Sequence, residues 1–205
     1  MPDLSRLLQE FRDLIQQRSI TKRAPGEPDF LLASGARSRY YCDTRRVTLS
    51  PEGARLTGEI LFHLLDGKVE AVGGLALGAA FIAPAVALVS GQQGRPIFAF
   101  TVRDAQKKHG TQEKVAQSFH PDGRELLCAG RRVAVVDDVV TKGGSILKAI
   151  EEVQERQCEL VSVLALVDRN EGGGDLLRER QLPYVALFNV DTDGNLTINA
   201  ELLGR

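Results

Sequence analysis

The chain has 205 residues, with 26 Lys and Arg against 27 Asp and Glu, so its formal net charge is -1. A chain of this length can bury a core large enough to fold as one domain without disulfides or a structural metal. The even charge balance excludes an overall positive field for nucleic acid or an anionic membrane, so any affinity for anions must come from a local site.

The three cysteines, Cys42, Cys128 and Cys158, are widely spaced and form no Cys-x-x-Cys pair. This spacing does not predict a zinc or redox site, and it favours a reducing, cytoplasmic location. The first residues lack a basic flank followed by an apolar run, so we expect no secretory signal.

The predicted elements of the first third are, in order, a helix, a loop, a strand pair and a second helix. Apolar residues at helical spacing over 4–15 indicate an amphipathic helix. Prolines and a glycine within 21–29 predict a loop, and a strand pair is expected near 40–42. Ser50 as N-cap with Pro51 in the first turn predicts the start of the second helix.

Residues 71–89 contain no charged side chain and are about as long as a membrane span. Gly73, Gly74 and Gly78 interrupt the stretch, and Pro84 lies inside it. This composition favours a short strand, a glycine loop and a buried helix over a membrane helix. The glycines have two interpretations: a turn that presents amides to an anion, or close packing alone.

In the remainder of the chain, short apolar segments alternate with helical ones. Strands are predicted over 97–102, 132–136, 160–167 and 184–190, and helices over 146–157 and near 176–177. This alternation predicts a single α/β domain whose mainly parallel central sheet is flanked by helices on both faces. Ligands of such sheets bind beyond the carboxyl ends of the strands.

The most informative segment is residues 133–145, where a buried strand meets Asp137 and Asp138 and then a glycine loop that opens a helix. Thr141 to Ser145 offer backbone amides, hydroxyls and a helix N-terminus, a combination that binds phosphate. Two adjacent carboxylates would repel a bare phosphate, so the ligand should also carry hydroxyls or a metal. A ribose 5-phosphate meets both demands; the alternative is an ordinary strand-to-helix turn with exposed acids.

This segment resembles the binding motif for 5-phosphoribosyl-1-diphosphate (PRPP) of type I phosphoribosyltransferases. The resemblance implies that fold, with a small N-terminal hood over about 1–45 and a mobile catalytic loop over about 103–130. It also implies that Asp137 and Asp138 contact the ribose hydroxyls and take part in catalysis. PRPP binding is further assigned to Val139, Val140, Thr141, Lys142, Gly143, Gly144 and Ser145.

Two further segments resemble the orotate branch of that family and imply base-binding residues. Residues 34–41 are similar to its Ser-Gly-x-Lys-Ser-Pro-Tyr-Tyr/Phe segment, with Arg37 in place of Lys and Arg39 in place of Pro. Residues 167–173 resemble its Asp-Arg-x-Glu segment, whose arginine binds the orotate carboxylate. The residues implied to bind the base are Arg37, Tyr40, Tyr41, Thr141 and Arg169.

Residues 103–110 resemble the catalytic loop of the same branch, written Arg-Lys-x-x-Lys-x-His-Gly. Arg103, Lys107 and His109 match it and are implied to bind PRPP and to act in catalysis. Asp104 stands where the family usually has Lys, which places an anion beside the expected diphosphate site. On this interpretation Asp104 should repel diphosphate.

The resemblance implies an enzyme that converts orotate and PRPP to orotidine 5′-monophosphate and diphosphate. It implies Mg²⁺ bound mainly through PRPP and diphosphate oxygens, without a separate protein metal site. It also implies a homodimer in which loop residues complete the neighbouring site, with no nucleic acid or membrane partner. Two alternatives stay open: a phosphoribosyltransferase for another nucleobase, and a non-catalytic regulator that binds PRPP.

Overall fold

The central sheet of the computed structural model has seven strands within the described residues, which are 3–31, 35, 37–104, 114–117 and 120–203. Its strands are β5 (Ala71–Leu75), β6 (Phe98–Val102), β7 (Val115–Gln117), β8 (Arg132–Val140), β9 (Glu159–Asp168), β10 (Tyr184–Val190) and β11 (Leu196–Ile198). The helices are α1 (Leu4–Arg18), α2 (Arg45–Thr48), α3 (Pro51–Leu64), α4 (Gly78–Gln92), α5 (Gly144–Glu155) and α6 (Gly173–Glu179), followed by a 3₁₀ turn at Ala200–Leu202.

The strand order is β11-β10-β9-β8-β5-β6-β7. The five inner strands are parallel, and each edge strand pairs antiparallel with its neighbour. The carboxyl ends of the inner strands therefore meet along one edge of the sheet, which is where ligands of such sheets bind. This architecture confirms the predicted α/β fold.

Alternate residues of the inner strands enter two separate cores, one on each face of the sheet. Val133 and Val135 pack with the apolar stripe of α5 and with Leu177 of α6. Ala134 and Val136 pack with α1, α3 and α4 on the other face. The period-2 alternation of β8 thus fixes which helices cover which face.

Two small sheets precede the central one: β1 (Ile20–Lys22) with β4 (Tyr40–Cys42), and β2 (Phe30–Leu31) with β3 (Arg37–Ser38). The prediction of a loop over 21–29 was wrong for Thr21 and Lys22, because these two residues pair with β4. The predicted start of α3 is confirmed, since the Ser50 hydroxyl accepts a hydrogen bond from the Gly53 amide at 3.1 Å.

The uncharged stretch forms β5 and α4, as the favoured interpretation predicted. No helix in the described part of the chain is long and apolar enough to cross a membrane. Gly73 and Gly74 lie inside β5 rather than in a turn. A Cβ atom there would lie 2.2 Å from the Phe100 carbonyl oxygen and 2.1 Å from that of Val136, respectively, so these two glycines serve close packing.

Several predicted boundaries were wrong at the carboxyl ends of strands. β8 continues through Asp137 and Asp138 to Val140, four residues beyond the predicted end, because the parallel ladder with β9 extends to Asp168. The two acids therefore lie on the strand and not after it. Strand β7 lies within the stretch predicted as a loop over 103–130, and β11 was not predicted.

The segment that leads into β8 is held by Arg131, whose side chain is buried. Its guanidinium donates to Glu70 at 2.7 Å, to Asp122 at 2.9 Å and to the Leu126 carbonyl at 3.2 Å. These bonds tie residues 122–131 to the amino-terminal end of β5. Within the predicted loop, residues 105–113 and 118–119 lie outside the described part of the chain.

Close packing of α3 against α4 depends on the absence of a side chain at position 58. A Cβ on Gly58 would lie 2.5 Å from the Ala85 carbonyl oxygen and 2.7 Å from a Val89 methyl. We predict that Gly58→Ala lowers the free energy of unfolding by about 1–3 kcal/mol, because the helices must separate. Urea unfolding measures this change.

Gly91→Ala is the matched control, since position 91 also lies in a helix but has no atom within 4 Å of the added Cβ. It should leave stability unchanged or raise it by up to about 1 kcal/mol through helix propensity. Equal losses for the two variants would contradict the packing explanation.

Candidate active site

The loops that follow β8 and β9 contact each other through their backbones. The Arg169 amide donates to the Val140 carbonyl at 3.0 Å, and the Gly173 amide donates to the Thr141 carbonyl at 2.8 Å. A Cβ on Gly173 would lie 2.5 Å from the Thr141 carbonyl oxygen, so only glycine allows this approach. The predicted phosphate loop and the predicted base-binding segment therefore lie side by side.

The carboxylates of Asp137 and Asp138 lie at the end of β8 and are oriented by hydrogen bonds. The Asp138 amide donates to the Asp137 carboxylate at 3.0 Å, and the Val139 amide donates to the Asp138 carboxylate at 2.9 Å. The hydroxyl of Thr44, which is fully buried, donates to the second Asp138 oxygen at 2.9 Å. Asp138 is thus fixed by a residue of the N-terminal region.

Asp137 is buried, whereas Asp138 is only half-buried. Burial, together with the neighbouring Asp138 carboxylate, raises the pKa of Asp137 well above the ordinary value for aspartate. The amide of Asp138 opposes this shift but does not cancel it. The folded protein therefore favours the neutral form of this carboxyl more strongly than water does.

Helix α4 begins directly beside these carboxylates. A Cβ on Gly78, the first residue of α4, would lie 2.5 Å from an Asp138 oxygen and 2.8 Å from an Asp137 oxygen. A side chain at position 78 would therefore displace these carboxylates from the hydrogen bonds that orient them. The partial positive charge of a helix N-terminus favours carboxylates placed next to it.

The loop between β8 and α5 has the geometry of an anion-binding cradle. Gly143 has a left-handed backbone with φ of 80°, and it forms the N-cap of α5 without a side-chain hydrogen bond to the cap. Gly144 and Ser145 are exposed at the first turn. Their amides are available to an anion, as the sequence predicted for a phosphate site.

Lys142 points away from the cradle towards the neighbouring loop, where its ammonium group donates to the Glu171 carbonyl at 2.8 Å. Val140 is buried in the strand and contributes its backbone rather than its side chain. Thr141 is half-buried at the start of the loop.

A cavity of about 690 Å³ opens beside the cradle, at the carboxyl ends of β9 and β10. Its lining includes Arg37, Tyr40, Lys142, Arg169 and Glu171. Arg169 is only 8% exposed, although its charge cannot be removed at physiological pH. The cavity therefore presents a buried, permanent cation.

Three side chains hold the guanidinium of Arg169. Its Nε donates to the Tyr40 hydroxyl at 3.2 Å, and Nη2 donates to the Ser38 hydroxyl at 3.2 Å. The Glu171 carboxylate lies 3.0 Å from Nε. The guanidinium carbon is 4.6 Å from the centre of the Tyr40 ring. The arrangement fixes the plane of the guanidinium, as recognition of a planar carboxylate requires.

The Tyr40 ring packs against the turn between β10 and β11. A Cβ on Gly194 would lie 2.8 Å from Cγ of the Tyr40 ring, so the ring rests on the glycine backbone. Gln16 of α1 holds this turn: it donates to the Gly194 carbonyl at 3.0 Å and accepts from the Leu196 amide at 2.7 Å. Burial raises the pKa of Tyr40, although Arg169 opposes the shift.

The structure does not place all the predicted site residues together. Tyr41 faces away from the cavity, because successive residues of β4 point to opposite sides, and its ring packs 5.9 Å from that of Phe30. Arg103 follows β6 and lines a cleft against α5. Lys107 and His109 lie outside the described residues.

Two residues of the site were not assigned a role from the sequence: Thr44 and Ser38. Thr44 and Asp138 are separated by 94 positions, so no local pattern could connect them. Ser38 belonged to a recognised segment, but nothing in its spacing indicated a contact with Arg169. Within the described residues, no group of three or more His, Cys, Asp or Glu side chains could hold a metal ion.

Comparison with known proteins agrees with this geometry. The model of the phosphoribosyl transferase domain family matches residues 49–182. The chain is 40% identical over 178 residues to the orotate phosphoribosyltransferase of Aquifex aeolicus (strain VF5), an alignment that covers 86% of this chain and 92% of that protein.

Solved structures of the orotate phosphoribosyltransferase of Mycobacterium tuberculosis H37Rv are also similar. One has a TM-score of 0.72 at 31% identity and covers 89% of this chain and 96% of its own. A second, in complex with PRPP, has a TM-score of 0.67 at 28% identity and covers 92% of each chain. The family model and these relatives show that the chain belongs to the orotate phosphoribosyltransferase family.

Proposed function

We propose that this protein transfers the phosphoribosyl group of PRPP to orotate, forming orotidine 5′-monophosphate and diphosphate. The observation that carries the proposal is the position of a buried arginine beside a phosphate cradle at one sheet edge. Arg169 and Thr141 belong to loops joined by backbone hydrogen bonds. A base with a carboxylate and a ribose with a 5-phosphate can therefore be held next to each other.

PRPP is oriented by two groups of this chain. The 5-phosphate binds the amides at the N-terminus of α5, with Gly143 to Ser145 around it. The ribose hydroxyls donate to Asp137 and Asp138, whose oxygens are held by backbone amides and by Thr44. The M. tuberculosis relative, which has been solved with PRPP, supports this assignment by its likeness.

Orotate binds in the cavity with its carboxylate against Arg169. The guanidinium is held in one plane by Tyr40 and Ser38, so it is preorganised for a planar anion. Among nucleobases, a carboxylate distinguishes orotate from uracil and the purines. The buried cation thus favours orotate over the other bases that phosphoribosyltransferases use.

In the reaction, the bond from ribose C1 to diphosphate breaks and a bond from C1 to the base nitrogen forms. The transition state carries positive charge on the ribose, and no enzyme nucleophile is required. Asp137 and Asp138 lie on the ribose side, where their oxygens, which carry partial or full negative charge, stabilise the developing cation. Arg103, Lys107 and His109 are proposed to neutralise the departing diphosphate.

Mg²⁺ is proposed as the cofactor, bound mainly through diphosphate and ribose oxygens. The donor set of this chain fits such a cation, because Asp138 is partly exposed at the site and offers a carboxylate to a hard metal that keeps several waters. When bound, Mg²⁺ supplies positive charge to the leaving diphosphate.

We further propose a homodimer in which loop residues of one subunit complete the site of the other, since two-fold dimers are the commonest oligomer. A cytoplasmic location is proposed as well. All three cysteines are free in the structure, which suits a reducing compartment.

The direct test is consumption of orotate, followed by its absorbance, with PRPP and Mg²⁺. Uracil, adenine, guanine and hypoxanthine serve as competing bases in parallel reactions. Turnover with orotate alone supports the proposal. Turnover with another base would favour a different phosphoribosyltransferase, and PRPP binding without any turnover would favour a regulator.

The buried Asp137 yields a prediction about both activity and stability. Asp137→Asn replaces a carboxyl oxygen, which is a proposed acceptor for a ribose hydroxyl, by an NH₂ donor, so kcat/KM for PRPP should fall by about tenfold or more. The same change should raise the free energy of unfolding at pH 7, because folding disfavours the ionised form of a buried carboxyl. Urea unfolding at several pH values measures the second effect.

The pH dependence follows from the raised pKa of Asp137 in the folded state. Wild type should lose stability relative to Asp137→Asn as pH rises from about 4, the unfolded value, through the folded value. At lower pH the penalty disappears, because both states are protonated. Asp193→Asn, at an exposed position, is the substitution control and should change the free energy of unfolding at pH 7 by less than about 0.5 kcal/mol. A pH-independent gain in Asp137→Asn would refute the raised pKa of Asp137.

Arg169 yields a prediction about substrate selectivity. Arg169→Lys keeps the charge but loses the planar fork, so the KM for orotate should rise at least about tenfold while the KM for PRPP changes much less. Steady-state kinetics with each substrate varied in turn measures both constants. Arg180→Lys, at an exposed position after α6, should change neither. Equal shifts of the two constants in Arg169→Lys would place base recognition elsewhere.

The shared-site dimer can be tested by mixing inactive variants. Lys107→Ala and the double variant Asp137→Asn/Asp138→Asn should each be nearly inactive. If loops act across the dimer, random pairing after co-refolding should restore about a quarter of wild-type activity, since half the dimers are mixed and each holds one complete site. A mixture no more active than its components would mean that each subunit uses its own loop.

A further inference from the structure

Arg169 enters the cavity from a tight turn at the end of β9. Asp168 is the last residue of the strand, Arg169 comes next, and Asn170 has a left-handed backbone with φ of 53°. Residues other than glycine rarely adopt this conformation, although asparagine tolerates it better than most. Because the backbone sets the direction of a side chain, the contacts that hold this turn also determine where the guanidinium can lie.

The carboxylate of Asp168 holds the turn from the interior of the protein. Asp168 is 1% exposed. Its Oδ1 accepts a hydrogen bond from the Asn170 amide at 2.8 Å, and its Oδ2 accepts one from the Tyr184 hydroxyl at 3.0 Å. Among the described residues, Arg169 and Asn170 line the cavity whereas Asp168 does not. The buried acid can therefore act on the cavity only through the backbone of the turn.

Tyr184 reaches Asp168 along the face of the sheet that α6 covers. It opens β10 and is 5% exposed. A Cβ on Gly174 of α6 would overlap the Asp168 carboxylate and would lie 3.1 Å from Cε1 of the Tyr184 ring, so both groups pack against the helix backbone. Burial, followed by the charge of Asp168, raises the pKa of Tyr184, and its hydroxyl therefore stays a donor.

Two more hydrogen bonds connect the same turn to the neighbouring strands. The Arg169 amide donates to the Val140 carbonyl at the end of β8. The side-chain amide of Asn170 donates to the Val190 carbonyl, at the end of β10, at 3.0 Å. The backbone on either side of Arg169 is thus attached to three adjacent strands.

We propose that Asp168 is a positioning residue for base recognition. With Tyr184 holding its carboxylate, it fixes the left-handed turn at Asn170 and so directs Arg169 into the cavity. This inference rests on the proposed function, in which the guanidinium binds the carboxylate of orotate. The side chains that fix the plane of the guanidinium can do so only when the turn delivers it to them.

The test removes the Tyr184 hydroxyl and keeps its ring. Tyr184→Phe leaves a buried oxygen of Asp168 without that donor, a costly state that the carboxylate relieves by turning away from the Asn170 amide. The KM for orotate should rise about three- to tenfold, and the KM for PRPP should change by less than about twofold, because the phosphate cradle follows β8. Asp168→Ala, which removes both bonds, should raise the KM for orotate at least as much; if it does not fold, Tyr184→Phe decides.

Thr57→Val is the matched control. It removes a buried hydroxyl of α3, which donates to the Gly53 carbonyl at 2.7 Å, and it does not touch the cavity. Both KM values should stay as in wild type. A merely structural role for Tyr184 would lower the stability of Tyr184→Phe and leave the ratio of its two KM values unchanged. That result, or an equal rise in both constants, overturns the positioning role.

A pair of variants tests the turn itself. Asn170→Gly and Asn170→Ala both lose the bond to Val190, but glycine adopts a φ of 53° freely whereas alanine resists it. The KM for orotate should therefore be at least about threefold higher in Asn170→Ala than in Asn170→Gly. Equal values would show that the left-handed turn does not direct Arg169, and the proposal would fail.

A second measurement does not depend on turnover. The backbone amide of Asn170, followed by NMR, should exchange its hydrogen at least about threefold faster in Tyr184→Phe than in wild type, and Thr57→Val should keep the wild-type rate. Faster exchange in a protein whose wild type does not use orotate would refute the proposed function and leave the contact between Asp168 and the turn standing. A wild type that uses orotate, with neither exchange nor KM altered in Tyr184→Phe, would refute the positioning role alone.

Discussion

The parallel pairing of β8 with β9 is the constraint on which the site depends. The ladder continues to the pair of Val140 and Asp168, so the loops that follow the two strands begin at the same level of the sheet. One loop carries the phosphate cradle and the other carries Arg169. If the register shifted, the proposed phosphate site and the proposed carboxylate site would be held at the wrong separation, although each could remain intact.

The site concentrates charges that the protein alone satisfies only in part. Asp137 is buried beside a second carboxylate, and Arg169 is buried beside one carboxylate and two hydroxyls. Burial of such groups costs folding free energy, and the hydroxyls and the carboxylate of the proposed ligands would offset part of that cost. The polar groups at this edge of the sheet therefore lower the stability of the unliganded fold. The helices on the two faces of the sheet, in contrast, pack through apolar side chains.

Sequence patterns predicted the elements well where one physical signal dominated. The strand at Tyr184–Val190 matched its predicted range because an apolar run ends at clear turn residues, and Ser50 with Pro51 marked the start of α3. Patterns failed where tertiary contacts decide. β8 extends to Val140 because of its neighbour, Gly73 and Gly74 are strand residues because two backbones approach, and Thr44 meets Asp138 only in the folded chain. The ion pair between Asp104 and Lys148 of α5 could not be predicted either, because the two residues are 44 positions apart.

The support beneath Tyr40 connects the proposed base pocket to residues outside the cavity. Gln16 holds the turn at Gly194, the Tyr40 ring rests on that turn, and the tyrosine hydroxyl accepts a bond from Arg169. The selectivity of the proposed base pocket can therefore be changed by a substitution outside the cavity. Substitutions at position 16 would tilt the Tyr40 ring by small amounts and so change the orientation of the Arg169 guanidinium. No residue that lines the cavity would be altered.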